Sequence, residues 1–257
     1  TTVTTDGITV DTDAPVISSV AEGSSGTGSS SGDNYSLEFD GVGDYVSIPS
    51  SNSLNNLSTI TFMCYAKANT LAGNEDYLLR SWTSNGIREW GFRVHGNGFP
   101  HRLFAEFRIN GSYVTIDAEY NSPSVSLNTY YHFAVTYNGT TIKLYQDGVL
   151  VGSLPITGTL DGNPNNIFLG YDGYGSYWDG LIGDFSIWST ALSPSEIQSY
   201  MTTSLTGNES NLVSYWNFNE GSGTTLTDQT SNGNNGTIVG ATWSDDVPAT
   251  STGGGDA

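Results

Sequence analysis

The sequence concentrates its basic side chains in one window. Arg80, Arg88, Arg93, Arg102 and Arg108 fall within 29 residues of a chain whose only lysines are Lys67 and Lys143, and His95 and His101 lie among them. Planar guanidiniums grip a carboxylate or sulfate through two parallel N–H donors, and a neighbouring aromatic ring gives a sugar a stacking platform. Strand parity sharpens the pattern. In RLFAEFRI the apolar set is Leu103, Ala105, Phe107 and Ile109, so Arg102, Phe104, Glu106 and Arg108 share the other face. In EWGFRVH, Trp90, Phe92 and Val94 point inward and Arg93 and His95 outward, and in LLRSW, Arg80 and Trp82 share a side. Successive antiparallel strands would lay Arg80, Arg93, Arg102 and Arg108 across one sheet face, with Trp82 and His95 among them. The acids within the window, Glu89 and Glu106, do not neutralise its five arginines. The face therefore reads as an anion- and sugar-binding patch, with a solvated surface of cross-strand pairs as the alternative.

Three other groups could do chemistry. Tyr171, Tyr174, Tyr177 and Trp178 surround glycines in YDGYGSYWDG, residues 171–180. Tyrosine supplies contact area at low entropic cost, which suits a recognition loop. A plain hairpin is the other reading; it places Trp178 in the core and leaves Tyr174 open between the two. Asp184 stands in the apolar strand GLIGDFSIW, where a half-buried carboxylate requires compensation. Asp228 and Asn234, in DQTSNGNNG, form a second oxygen-rich cluster and read as turn formers. Catalysis is not expected. No strand carries the paired carboxylates of glycan hydrolysis, and His95, His101 and His132 have no nucleophile at a recognisable spacing.

The elements that position these residues are short strands. Hydrophobic residues make up 36% of the 257 and charged residues 13%, with 32 glycines, a profile of strands joined by polar turns. Asn110-Gly111, Asn138-Gly139 and Asp147-Gly148 mark hairpin turns. One helix is legible, at Pro194–Met201, with Ser193 as its N-cap, Pro194 at the first helical position and Glu196 closing a capping box. The net charge of −19 argues against binding to nucleic acid or an anionic membrane, and no apolar run is long enough to span a bilayer. Cys64, the single cysteine, lies in an apolar run and reads as a buried thiol. A Gly/Ser-rich linker covers 21–34, the domain 35–246, and a second linker 247–257. The opening TTVTTDG, without methionine, reads as part of a longer protein.

Four motifs carry a family resemblance: FDGVGDYVSIP, YYHFAVTYNGTTIKLYQDGVLVGS, GLIGDFSIWSTALSPSEIQSY and NLVSYWNFNEGSGTTLTDQTSNGNNGTIVGATW. Together they resemble bacterial laminin-G-like domains of the concanavalin A-like lectin/glucanase superfamily. The resemblance implies an all-β fold, a two-sheet antiparallel jelly-roll sandwich with one short helix near its C-terminal end. It also implies a calcium ion (Ca2+) held by Asp184 with oxygens near Asp40 and Gly41, Asp44 being a further candidate. Residues 1–20 resemble the end of a preceding immunoglobulin-like repeat. The expected protein is secreted or on the cell surface, a non-catalytic carbohydrate-binding or adhesion module tethered to other domains. Its expected partner is a polysaccharide or cell-surface glycan, in the sharper version an acidic or sulfated one. A calcium-dependent protein–protein adhesion domain and an unrecognised glycan lyase or hydrolase are the alternatives.

Overall fold

The computed structural model describes residues 2–5, 8–11, 35–71, 76–82, 88–95, 101–119 and 121–248. They fall in two units, Thr1–Ser31 and Gly32–Ala257. In the first, β1 (Thr2–Thr5) pairs antiparallel with β2 (Ile8–Asp11), Thr5 opposite Ile8. The rest of the expected repeat end, the 21–34 linker and the tail beyond residue 248 lie outside the described residues.

The second unit is an antiparallel jelly-roll sandwich. Its strands are β3 (Ser36–Asp40), β4 (Tyr45–Ile48), β5 (Ile60–Ala68), β6 (Asp76–Trp82), β7 (Arg88–His95), β8 (Arg102–Ile109), β9 (Ser112–Asp117) and β10 (Tyr130–Tyr137). There follow β11 (Thr141–Gln146), β12 (Val149–Pro155), β13 (Ile167–Leu169), β14 (Asp179–Trp188), β15 (Leu212–Trp216), β16 (Thr225–Leu226), β17 (Gly236–Val239) and β18 (Thr242–Ser244). Sheet I runs β12-β11-β10-β5-β14-β3-β18, with β15 also on β14; sheet II runs β16-β17-β4-β13-β6-β7-β8-β9. The last hairpin serves both sheets: β17 pairs with β4 and β18 with β3.

Local chemistry explains the turns and the seam. Asn110-Gly111 and Asp147-Gly148 both adopt positive φ, as a two-residue hairpin of matching twist requires. At Asn138 the side chain does the work instead, its Oδ1 accepting from the N–H groups of Thr140 (3.0 Å) and Thr141 (2.9 Å). β14 sends Phe185 and Ile187 into the core, and Trp188 to a second cluster outside sheet I. That cluster forms under α2 (Pro194–Tyr200), which buries Ile197 against Trp188, Met63 and Tyr145. The capping box is present: Glu196 N–H donates to Ser193 Oγ (3.3 Å) and Ser193 N–H to Glu196 Oε2 (2.7 Å). A single helical turn, α1 (Asn52–Asn55), was not legible; Ser51 caps it by accepting from the Leu54 N–H.

His132 lies buried on the α2 side of sheet I, its ring 5.0 Å from that of Tyr65, whose hydroxyl donates to the Met201 carbonyl. Burial lowers its pKa from 6.5 to about 3. Between those values the unfolded chain takes up a proton that the folded chain refuses, so stability falls as pH drops. By pH 4.5 this amounts to about 2–3 kcal/mol. His132→Phe should therefore flatten the loss measured by chemical denaturation at pH 7 and pH 4.5; an unchanged loss would contradict the assignment.

Candidate functional site

Sheet II turns Trp90, Phe92, Val94, Leu103, Ala105 and Phe107 into the core, which leaves the alternate residues outside. One rung of Cα partners crosses that outer face through Thr225, Thr237, Ser47, Phe168, Arg80, Gly91, Glu106 and Thr115. The next runs Tyr77, Arg93, Phe104, Asp117; beyond it His95 stands opposite Arg102, and on the other side Arg108 stands opposite Tyr113. Arg80, Arg93, His95, Arg102 and Arg108 thus share a face, as parity requires. Trp82 stands at an irregularity of the ladder. The pairing slips by one residue between Ser81 and Trp82, so Trp82 is partnered by Arg88 and not by Glu89. The side chains of Trp82 and Arg88 lie outside the described residues.

The arginine face is not a solvated patch. Arg80 is 0% exposed, Glu106 1% and Arg93 8%. Arg80 and Glu106 stand two strands apart, about 10 Å between backbones, and meet over Gly91 with Nη2 3.8 Å from Oε1. A Cβ on Gly91 would lie 2.6 Å from the Glu106 Cδ and closer still to Cγ, so only glycine leaves the passage open. The Tyr77 hydroxyl donates to Glu106 Oε1 (3.1 Å) and the Tyr113 hydroxyl to Oε2. Arg80 Cζ lies 4.3 Å from the Tyr77 ring centroid, and Arg93 Cζ 3.9 Å from that of Phe104. The outer bases are matched as well: His95 Nδ1 is 3.7 Å from Asp117, Arg108 Nε donates to Asp161 (3.2 Å) and Arg102 Nη1 to the Ala118 carbonyl (3.2 Å). This corrects the expected excess of positive charge, because Asp117 and Asp161 reach the face from outside the arginine window. At the head of β6, burial pushes the Asp76 carboxyl up to about 7, with Arg93 opposing and Asp179 adding to the rise.

The open part of the face is aromatic. Tyr45, Phe168, Tyr171 and Tyr177 are half-buried. Tyr45 lies 5.9 Å from Phe168 and 5.5 Å from Tyr171, and Tyr171 stacks on Tyr177 at 4.7 Å and 11°. Tyr174, at the loop tip, is 57% exposed, with its ring centroid 5.7 Å from Arg80 Cζ. Buried Asp172 fixes the loop by accepting from the N–H groups of Tyr174 (2.7 Å) and Ser176 (2.8 Å). Trp178 is in the core. Tyr45 and Phe168 were missed by sequence reasoning, since only the β4–β13–β6 register sets them beside Arg80.

The residues expected to share calcium are not together. Asp40 stands opposite Asp179, so Asp184 lies five residues further along β14, about 17 Å away. Asp184 occupies a bulge with φ +49°, where it and Phe185 face the single residue Cys64. Its charge adds to burial in pushing the Cys64 thiol up. Asp40 Oδ1 accepts from the Val42 N–H (2.8 Å), and Asp44 Oδ2 from the Asp40 N–H (2.9 Å). Among the described residues no three His, Cys, Asp or Glu side chains form a group able to hold a metal. The expected Asp40–Gly41–Asp184 site is therefore corrected. Asp228 is a turn former: Tyr215, Thr230 and Asn234 donate their N–H groups to it.

A jelly roll whose second sheet carries an aromatic outer face defines the class: a lectin-like β-sandwich. The Laminin_G_3 family, described as Concanavalin A-like lectin/glucanases superfamily, matches residues 40–198, and the chain belongs to it. Among solved structures it is similar to a Bacteroides ovatus protein provisionally described as carbohydrate binding. Identity is 17% and the TM-score 0.64, over 82% of this chain and 59% of that one. It is also similar to the heptameric SAP-like pentraxin of Limulus polyphemus (16% identity, TM-score 0.53, 65% of this chain and 82% of that one). The chain thus spans about 59% of the length of the Bacteroides protein. No curated protein sequence matches.

Removing one partner of a buried ion pair leaves the other charge uncompensated and costs about 3–5 kcal/mol. Glu106→Gln should destabilise the domain by that order in urea denaturation. Gly91→Ala should do so without changing any charge, because its methyl group displaces the Glu106 side chain. Wild-type stability in either variant would show that the pair does not organise the sheet.

Proposed function

We propose that the domain is a non-catalytic carbohydrate-binding module whose glycan lies on the outer face of sheet II. One observation carries this reading: Tyr45, Phe168, Tyr171, Tyr174 and Tyr177 gather on that face, partly open to solvent, on a loop fixed by Asp172. Such rings present flat apolar surface to the C–H face of a sugar, while their hydroxyls stay available for hydrogen bonds. The carbohydrate-binding description of the Bacteroides ovatus protein supports the same reading. The absence of catalysis is supported by the burial of the Glu106–Arg80–Tyr77 cluster, in which a carboxylate, a guanidinium and a phenol meet out of reach of solvent. The module belongs, in this reading, to a secreted or surface protein that it tethers to a glycan.

Calcium enters only as part of the proposal. An ion at the Asp40–Gly41 turn would draw on Asp40 and the facing Asp179, without Asp184. Since a ligand bound to the folded state alone raises stability, melting in millimolar calcium and in chelator should differ. Coincident curves would remove the ion from the account.

Retention on polysaccharide-containing native gels tests the main reading. Tyr174→Ala should weaken retention about tenfold with little change in melting temperature, because the ring is exposed. Unaltered retention, or release of new sugar ends from any glycan in the panel, would contradict it.

A further inference from the structure

The outer face of sheet II has two unlike halves. Among the described residues, the charged strand residues Arg80, Arg93, His95, Arg102, Glu106, Arg108 and Asp117 of this face lie on β6 to β9 and are covered or paired within the protein. Strands β13, β4, β17 and β16 turn Ile167, Leu169, Val46, Ile48, Ile238 and Leu226 into the core. Parity then leaves Phe168, Tyr45, Ser47, Thr237, Val239 and Thr225 outside, and none of them is charged. Thr225, Thr237 and Val239 are exposed, and Ser47 is half-exposed. Along a single rung, therefore, the ring of Phe168 is followed by the hydroxyls of Ser47, Thr237 and Thr225, one per strand. Tyr45 and the 171–177 loop flank the aromatic end of this track.

We infer that this half of the face binds an uncharged glycan chain laid across β13, β4, β17 and β16, and that acidic and sulfated glycans are excluded. The inference rests on the carbohydrate-binding reading above and narrows its ligand. An anionic sugar is gripped best by a guanidinium fork free to take it bidentately. The forks of Arg80, Arg93, Arg102 and Arg108 are instead engaged by Glu106, by the Phe104 and Tyr77 rings, by the Ala118 carbonyl and by Asp161. The chain also carries a net charge of −19, which repels a polyanion wherever acids lie within a Debye length of about 8 Å. A neutral sugar meets neither obstacle. It requires an apolar ring for its C–H face and hydroxyls for its own hydroxyls, the two kinds of group that this track offers.

Matched polysaccharides that share a backbone and differ in charge give the test: hydroxyethyl against carboxymethyl cellulose, and dextran against dextran sulfate. The wild-type domain should be retained on at least one neutral member and not on its charged counterpart. Thr237→Glu, an exposed change far from the Arg80–Glu106 pair, should cut that retention at least about tenfold. Arg102→Lys and Arg108→Lys should leave it within about twofold of wild type. Retention on a charged member that is lost in Arg108→Lys would overturn the inference and leave the carbohydrate-binding reading standing. Neutral binding lost in Tyr174→Ala but unaffected by Thr237→Glu would overturn the track across β4, β17 and β16. A domain retained on no polysaccharide of either class would refute both readings.

Discussion

The outer face of sheet II depends on a charge taken out of water. Arg80 has no exposed surface, and its counter-charge, Glu106, is two strands away. A buried guanidinium keeps its charge and therefore needs a close partner, because desolvation costs several kcal/mol per ion. Gly91 makes the partnership possible by leaving the intervening strand without a side chain at the crossing point. Tyr77 and Tyr113 then occupy both carboxylate oxygens, so the acid is satisfied from three sides. The register of β6, β7 and β8 is fixed with it, since a one-residue slip would put Arg80 against the core.

That pair divides the sheet into two territories. On one side, charge is consumed internally and the surface is sealed by rings and ion pairs. On the other, the strands carry rings and hydroxyls with no charge to satisfy, and the Asp172-bonded loop sets Tyr174 above the boundary. A buried cation beneath an exposed ring gives that ring a fixed resting place, with a cation–π attraction of about 0.5–2 kcal/mol. A ligand meeting such a platform finds it already ordered, which lowers the entropic cost of binding.

Much of this was legible in the sequence, for identifiable reasons. The alternation in RLFAEFRI and EWGFRVH reports parity directly, so the shared face of Arg80, Arg93, His95, Arg102 and Arg108 could be read before the fold was known. The capping box at Ser193–Glu196 and the Asn-Gly and Asp-Gly turns are local signals that tertiary context did not override. Three features were not legible. The slip beside Trp82 was not legible because a bulge adds a residue without any composition cue. Asp184 was separated from Asp40 by strand register, which depends on pairing partners distant in sequence. The pairing of His95 and Arg108 was missed because Asp117 and Asp161 come from outside the window in which charges were counted.

The central claim is that the glycan lies on the uncharged half of sheet II. Backbone amide shifts of the isotopically labelled domain, followed during titration with a neutral oligosaccharide, report this residue by residue. The account predicts that the largest shifts fall in β4, β13 and β17 and in residues 171–177, with β8 and β9 unmoved. Shifts centred on Arg102–Asp117, or on the α2 side of sheet I, would contradict it.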